Sequence, residues 1–338
     1  MLIRSFAHRI FRPGAVLALA GMALATAAPA QADGFASVES AFDRTFGTET
    51  RAPRTFDTPL EARLVAVANA AQGRIGVAAM DLATGHTVHV LGDQYFPMAS
   101  TSKIAIAATF LEGVDQGRWS LSSEFPLLIP VKSAPFSSAV APVRKGNYLP
   151  ARELIDLMIT RSSNPATDAL LAVIGGPQAV NAWARRAGIQ DFHLDRDIAT
   201  LGRDGGAVDP AVVIERRDAV TPLAMLHMLR GLHEGKWLSA SSRRVLLEAM
   251  DRTVTGKRRI RALMPEGVQV GNKTGSLNNT TSHVGYIRGP DGRTIALAIY
   301  VTGQGGRLNR EQRVATIART LFDGYQASPA AYQLSAVR

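Results

Sequence analysis

Ser100 and Lys103 stand three residues apart at the head of the apolar run Ile104 to Leu111. Residues at that spacing share a helix face, so a hydroxyl and an amine come side by side. An ammonium at the dry end of a buried helix is costly unless it is paired or gives up its proton. An amine made neutral in that way can take the serine proton and leave a nucleophile. Pro97 disfavours helix at Phe96 and Ser100 is a good N-cap, so the helix is expected to begin at Ser100. The same residues also read as a plain cap with a lysine snorkelling to water. Two further patterns follow: Ser162-Ser163-Asn164, and Lys273-Thr274-Gly275-Ser276. Alone, the first reads as helix caps and the second as a solvated strand end and turn. Each pattern alone is weak, but the three together, in this order and each in its expected element, are a strong signal.

The elements that must position these residues are legible in the spacing of apolar side chains. Thr58-Pro59-Leu60-Glu61 reads as a capping box opening a helix to about Ala71, which Gly73 ends. Arg74 to Asp81 and Thr87 to Leu91 form a hairpin about Ala83-Thr84-Gly85 and lead into the Ser100 stretch. From Ile104 to about Leu263 the signals are mainly helical, at 151–160, 166–173, 178–187, 221–234 and 240–250. Ser162 falls in the turn between the first two of these. Residues 194–221 read as a long, glycine- and charge-rich loop, of a length usually kept for function or mobility. Strands return at 268–273, 282–288 and 294–301, so Lys273 closes a strand. Asn309-x-x-Gln312 is expected to cap the last helix. The first hairpin and the late strands should share one sheet, with the helical middle forming a second lobe.

The chain has 338 residues, 46% hydrophobic and 20% charged, enough for two lobes with sizeable cores. Arg4, Arg9 and Arg12 precede an apolar run from Ala15 to Ala25, and Ala30-Gln31-Ala32 completes a secretory signal. The run is too short for a membrane anchor. Removing residues 1–32 takes away three arginines and no acid, lowering the formal net charge from +10 to +7. That surface favours anionic partners such as cell-wall polymers. Its basic residues are scattered without interleaved aromatics, which argues against nucleic acid. Without cysteine there is no disulfide or thiolate metal site. The seven histidines do not cluster, and His86 and His89 point to opposite faces of a strand. No metal or cofactor is expected.

The three motifs in this order resemble those of the penicillin-recognising serine hydrolases, and within them the class A β-lactamases. The likeness runs over about 58–325 and includes Phe96-Pro97-Met98, Gly175-Gly176-Pro177, Leu194-Asp195-Arg196, Thr221-Pro222 and Gly289-Pro290-Asp291-Gly292. It implies an α+β fold in which an antiparallel sheet flanked by N- and C-terminal helices joins an all-helical lobe. The expected organisation is a signal peptide over 1–32, a leader over 33–57, a catalytic domain over 58–325 and a tail over 326–338. Within the domain, 58–95 and 265–325 form the α/β lobe and 96–264 the helical lobe. The implied roles are Ser100 as nucleophile, Lys103 as base, Ser162 as proton relay to the leaving nitrogen and Lys273 as its support. The backbone N–H groups of Ser100 and Ser276 form the oxyanion hole. Thr274, Gly275 and Ser276 line the substrate carboxylate site, and Asn164 binds a side-chain amide. An arginine for the carboxylate falls at Arg259 in some members; Ser282 or His283 occupies the position that others use.

The resemblance has one informative gap. Class A enzymes place a deacylating glutamate after the Leu-Asp-Arg element, and counting from Arg196 puts Ile198 there. Counting back from Pro222 lands near Asp204 and Gly205, because the loop is about seven residues longer. Asp197, Asp204 or Lys103 is then left to activate water. Ser163 replaces the usual aspartate of the second motif, and a local hydrogen-bond change is expected there. The activity implied is that of an exported, periplasmic or secreted serine β-lactamase acting on small molecules as a monomer. The alternatives are a D-alanyl peptidase or esterase of the same superfamily, and a penicillin- or peptidoglycan-binding sensor that acylates once.

Overall fold

The computed structural model describes residues 58–70 and 72–327. The expected signal segment, leader and residues 328–338 lie outside the described residues.

Helix α1 (Pro59–Val67) opens with the expected capping box: the Thr58 hydroxyl accepts from Glu61 N at 3.2 Å, and Glu61 Oε2 accepts from Thr58 N at 3.3 Å. It stops at Val67, before Ala71. Strands β1 (Ile75–Asp81) and β2 (Thr87–Val90) form the hairpin. They join β8 (Gln269–Leu277), β9 (Thr280–Arg288) and β10 (Thr294–Thr302) in one antiparallel sheet ordered β2-β1-β10-β9-β8. The β1–β10 pairing, with Ile75 opposite Val301, fuses the two ends of the described chain.

Period-two alternation divides the sheet's side chains between two cores. Ile295, Leu297, Ile299 and Val301 pack with Leu60 and Leu64 of α1 and with Val314, Ile317 and Leu321 of helix α9 (Arg307–Gln326). Ala296, Ala298 and Tyr300 face the helices of the middle of the chain. Both faces are therefore covered, which accounts for the near-continuous apolar run in β10. Helix α9 begins at Gly306 without a side-chain cap, so Asn309 and Gln312 lie inside its first turns and do not cap it as expected.

The middle contains α2 (Lys103–Asp115), α3 (Ala151–Thr160), α4 (Asn164–Ile174), α5 (Pro177–Arg186), α6 (Ile198–Asp204), α7 (Pro222–Glu234) and α8 (Ala240–Asp251). Ile104 to Leu111 of α2 are buried all round, so this helix is the axle of its core. The middle is not wholly helical. Strands β4 (Glu124–Pro130) and β5 (Val143–Pro150) form an exposed hairpin with a bulge between Pro126 and Leu128. The prolines and the blurred alternation hid it from the sequence reading. Short strands β3 (Phe96–Pro97), β6 (Phe192–His193) and β7 (Ala219–Val220) make a small sheet that brackets the 194–221 loop. That loop also holds α6, whose N-cap Asp197 accepts from Thr200 N at 2.7 Å.

Candidate active site

Ser100 does not cap a helix. It lies inside a 3₁₀ turn, Ala99–Ser102, that runs directly into α2. Ala99 enters the turn at φ +50°, a left-handed conformation costly for a residue with a Cβ. The turn is over-determined by its neighbours: Met98 N donates to Asp218 O, Thr101 Oγ1 to Met98 O at 2.7 Å, and Ser102 Oγ to Ala99 O at 2.9 Å. Strand β8 lies hard against it at Gly275, where a Cβ would sit 2.7 Å from Met98 O and 3.0 Å from Ala99 Cβ. The glycine of the third motif is thus a matter of clearance.

Lys103 is fully buried, yet its amine has three acceptors: Ser162 O at 2.8 Å, Asn164 Oδ1 at 2.7 Å and Ser162 Oγ at 3.3 Å. Burial lowers its pKa to about 7, with Asp168 opposing the shift. Lys273, on the β8 register opposite Val284, is also fully buried and places Nζ 2.9 Å from both Ser162 Oγ and Thr274 O. Its pKa lies well below the usual value, through burial first and then the charges of Lys103 and Arg259. Ser162 therefore sits between two amines that the fold makes reluctant to be charged together. It reaches that position through a left-handed backbone, φ +59°, in the turn between α3 and α4. Next to it Ser163 is the N-cap of α4, accepting from Ala166 N at 3.3 Å, which is the local hydrogen bonding of the replaced aspartate position.

On the opposite face of β8, Thr274 Oγ1 lies 2.8 Å from Thr255 Oγ1, and Ser276 Oγ accepts from Arg259 at 2.7 Å. The Arg259 guanidinium is buried, and all five of its N–H groups are used. They go to Gly275 O, Ser282 O, Ser276 Oγ and, twice, to Glu311 Oε1 at 3.2 and 3.3 Å. Its charge reaches the exposed rim through Ser276. Ser282 and His283 are turned away: Ser282 Oγ donates to Pro97 O, and His283 Nε2 lies 2.8 Å from Asn272 Oδ1 while its Nδ1 accepts from Ile260 N.

The loop is held by charge at both ends. Asp218 accepts from Asp195 N, Arg196 N and Arg196 Nε at 2.8, 3.0 and 2.6 Å. Asp204 is bound to Arg203 Nε at 2.7 Å and to Phe136 N at 3.0 Å, and the arginine chiefly lowers its pKa to about 2. It lines a cavity of about 60 Å³ between the loop and the β8–β9 turn that includes none of Ser100, Lys103, Ser162 or Lys273. Asp197 is spent capping α6. The sequence reading overlooked Asp168, an acid in the apolar α4 stretch Ala166 to Leu171. Its two oxygens accept from Ile198 N at 2.8 Å and Ala199 N at 2.9 Å, and burial raises its pKa to about 7. The signal was present: a single acid inside an otherwise apolar helical face needs partners.

Comparison with known proteins agrees with this architecture. The β-lactamase enzyme family profile matches residues 59–325. The chain belongs to this family, in the class A superfamily. β-Lactamase CTX-M-8 of Citrobacter amalonaticus is 31% identical over 270 residues, spanning 79% of this chain and 89% of that one. β-Lactamase OXY-2 of Klebsiella oxytoca is 31% identical over 254 residues, 75% of this chain and 84% of that one. The crystal structure of a β-lactamase from Chitinophaga pinensis DSM 2588 superposes with a TM-score of 0.70 at 28% identity, covering 79% of this chain and 100% of that one. An ancestral class A β-lactamase superposes with a TM-score of 0.68 at 32% identity, over 78% of this chain and 99% of that one. Among the described residues no helix is long and apolar enough to cross a membrane.

Proposed function

We propose that this family member is an exported serine hydrolase that opens β-lactam amides through an acyl-Ser100 intermediate. Neutral Lys103 takes the Ser100 proton as Oγ attacks the amide carbon, and the oxyanion develops toward the backbone N–H groups of Ser100 and Ser276. As the C–N bond breaks, Ser162 gives its proton to the leaving nitrogen and regains one from the lysines. Thr274, Gly275 and Ser276 bind the substrate carboxylate, with Arg259 acting through Ser276, and Asn164 binds the side-chain amide. The observation that carries this reading is Ser162 Oγ at 2.9 and 3.3 Å from two buried amines of lowered pKa. Export is supported by the N-terminal arginines, apolar run and Ala30-Gln31-Ala32, and small-molecule action by the relatives named β-lactamase.

Ile198, buried at the head of α6, favours a second reading, in which acylation outruns release. A sensor that acylates once, or a peptidase or esterase on D-alanyl substrates, fits that case. Nitrocefin turnover with intact-mass analysis separates the three. Steady colour supports the β-lactamase, a lasting adduct without turnover the sensor, and ester cleavage with no adduct the peptidase. Ser100→Ala is expected to abolish the adduct; persistence of the adduct there would sink the mechanism.

A further inference from the structure

Asp168 is a buried acid that the mechanism leaves unused. Asp168 is four residues from Asn164 on α4, so the two side chains share a face about 6 Å apart. Asn164 Oδ1 accepts from Lys103 Nζ at 2.7 Å, which places Asp168 one helical turn behind the catalytic amine. The carboxylate is 4% exposed, and its partners on the far side are the first two backbone N–H groups of α6, Ile198 and Ala199. It therefore lies between the seat of the 194–221 loop and Asn164, which holds the Lys103 amine. We propose that Asp168 is a positioning residue that acts through Lys103: its charge, held against the N-terminus of α6, sets the protonation state of the amine that must accept the Ser100 proton.

The charges involved come from three other elements. Lys103 on α2 and Asp197 at the N-cap of α6 act on Asp168 through their charges, without an ion pair or hydrogen bond to it, and Lys273 on β8 faces Lys103 across Ser162. Asp168 carries the group that favours the charged form of Lys103, and burial works against the charge of both partners. The two titrate as a pair. A proton leaving Lys103 is opposed by the Asp168 carboxylate, so the pair fixes the pH above which the amine is a base. Shifting the loop seat at Ile198 and Ala199 removes two N–H groups that stabilise that carboxylate. Loop position and base strength are thereby linked.

This inference rests on the reading of Ser100 and Lys103 as the acylating pair, and the test separates the two. Acylation of the full chain by nitrocefin is followed by intact mass from pH 4.5 to 9. In the unchanged protein the rate should rise through a limb near pH 7. In Asp168→Asn the limb should move about one to two pH units lower, while Asp168→Glu should keep it close to its original place. A chain that never forms the adduct overturns the parent reading. An adduct in both proteins with a limb that does not move, only a lower plateau, overturns the role of Asp168. Should Asp168→Asn fail to fold, carboxyl carbon NMR on the unchanged protein decides. A second inflection of the Asp168 carboxyl carbon at the pH of the acylation limb upholds the pairing, and a single-step titration without it overturns the pairing.

Discussion

Glu311 is the countercharge behind the Ser276 end of β8, and replacing it by Gln tests how that end is held. Its Oε1 accepts from Arg259 at 3.2 and 3.3 Å, and both side chains are almost wholly buried. Two unit charges at that separation attract by about 5 kcal/mol with an effective dielectric constant of about 20. The glutamine carbonyl still accepts a hydrogen bond and recovers about 1 kcal/mol. Arg259 cannot shed its proton, so the remainder is a true penalty, in line with the ~3–5 kcal/mol typical of a broken buried pair. For a domain of this size the melting temperature should fall by about 10 °C. Arg259 also donates to Gly275 O and Ser276 Oγ, so acylation should slow as that end of the strand loosens. Differential scanning fluorimetry and intact-mass acylation rates at pH 7 measure both effects. Adding Arg259→Met to Glu311→Leu should restore part of the stability, because an apolar pair carries no orphaned charge. A fall below about 3 °C with an unchanged acylation rate would refute the reasoning.

Gly275→Ala should leave the chain folded but cut the acylation rate at least about tenfold, since a Cβ 2.7 Å from Met98 O displaces the Ser100 turn; intact mass gives the rate and circular dichroism the fold. Asp218→Ala removes three hydrogen bonds to residues 195 and 196, two of them to backbone, and should cost about 3 kcal/mol. Hydrogen exchange should then speed up across 195–220 while β9 and β10 stay protected. Burial raises the Asp168 pKa to about 7 from 3.8, so the folded chain holds that proton more tightly than the unfolded one. The stability this provides is full below about pH 3.8 and is lost as pH rises through 7. Melting temperatures of Asp168→Asn relative to the unchanged protein should therefore climb steadily between pH 4 and 7; a constant difference would contradict the shift.

The candidate site residues stand out in the sequence because their order and spacing are chemical facts of the chain. Ser100 and Lys103 are three apart, Ser162 lies in a turn marked by flanking helical periods, and Lys273 follows a run with strand alternation, although it does not close the strand as expected, since pairing with β9 carries β8 on to Leu277. The shared sheet followed from the same alternation, which divides β10 into two faces whatever covers them. The capping box at Thr58 was legible because its partners are three residues apart. Hydrogen bonds set by backbone path were not. Ser100 looked like an N-cap, yet the turn is fixed by Asp218 and Gly275, which are distant in sequence. The β4–β5 hairpin was hidden because its pairing, not its exposed side chains, makes it a strand pair.

The sequence by itself determined which groups are present, and counting from Arg196 or from Pro222 left two places for the expected carboxylate, Ile198 or the Asp204 region. Tertiary structure decided what those groups are chemically. A lysine is an ordinary cation until packing removes its water, and Lys103 and Lys273 become candidate bases only because α2, α4 and β8 bury them around one hydroxyl. Arg259 is committed to Glu311 and Ser276 for the same reason. Asp168, unremarked in the linear chain, gains its part only where α4 brings it beneath Asn164 and against the head of α6. Desolvation and charge proximity depend on all the neighbours at once, and neighbours distant in sequence are set by the fold.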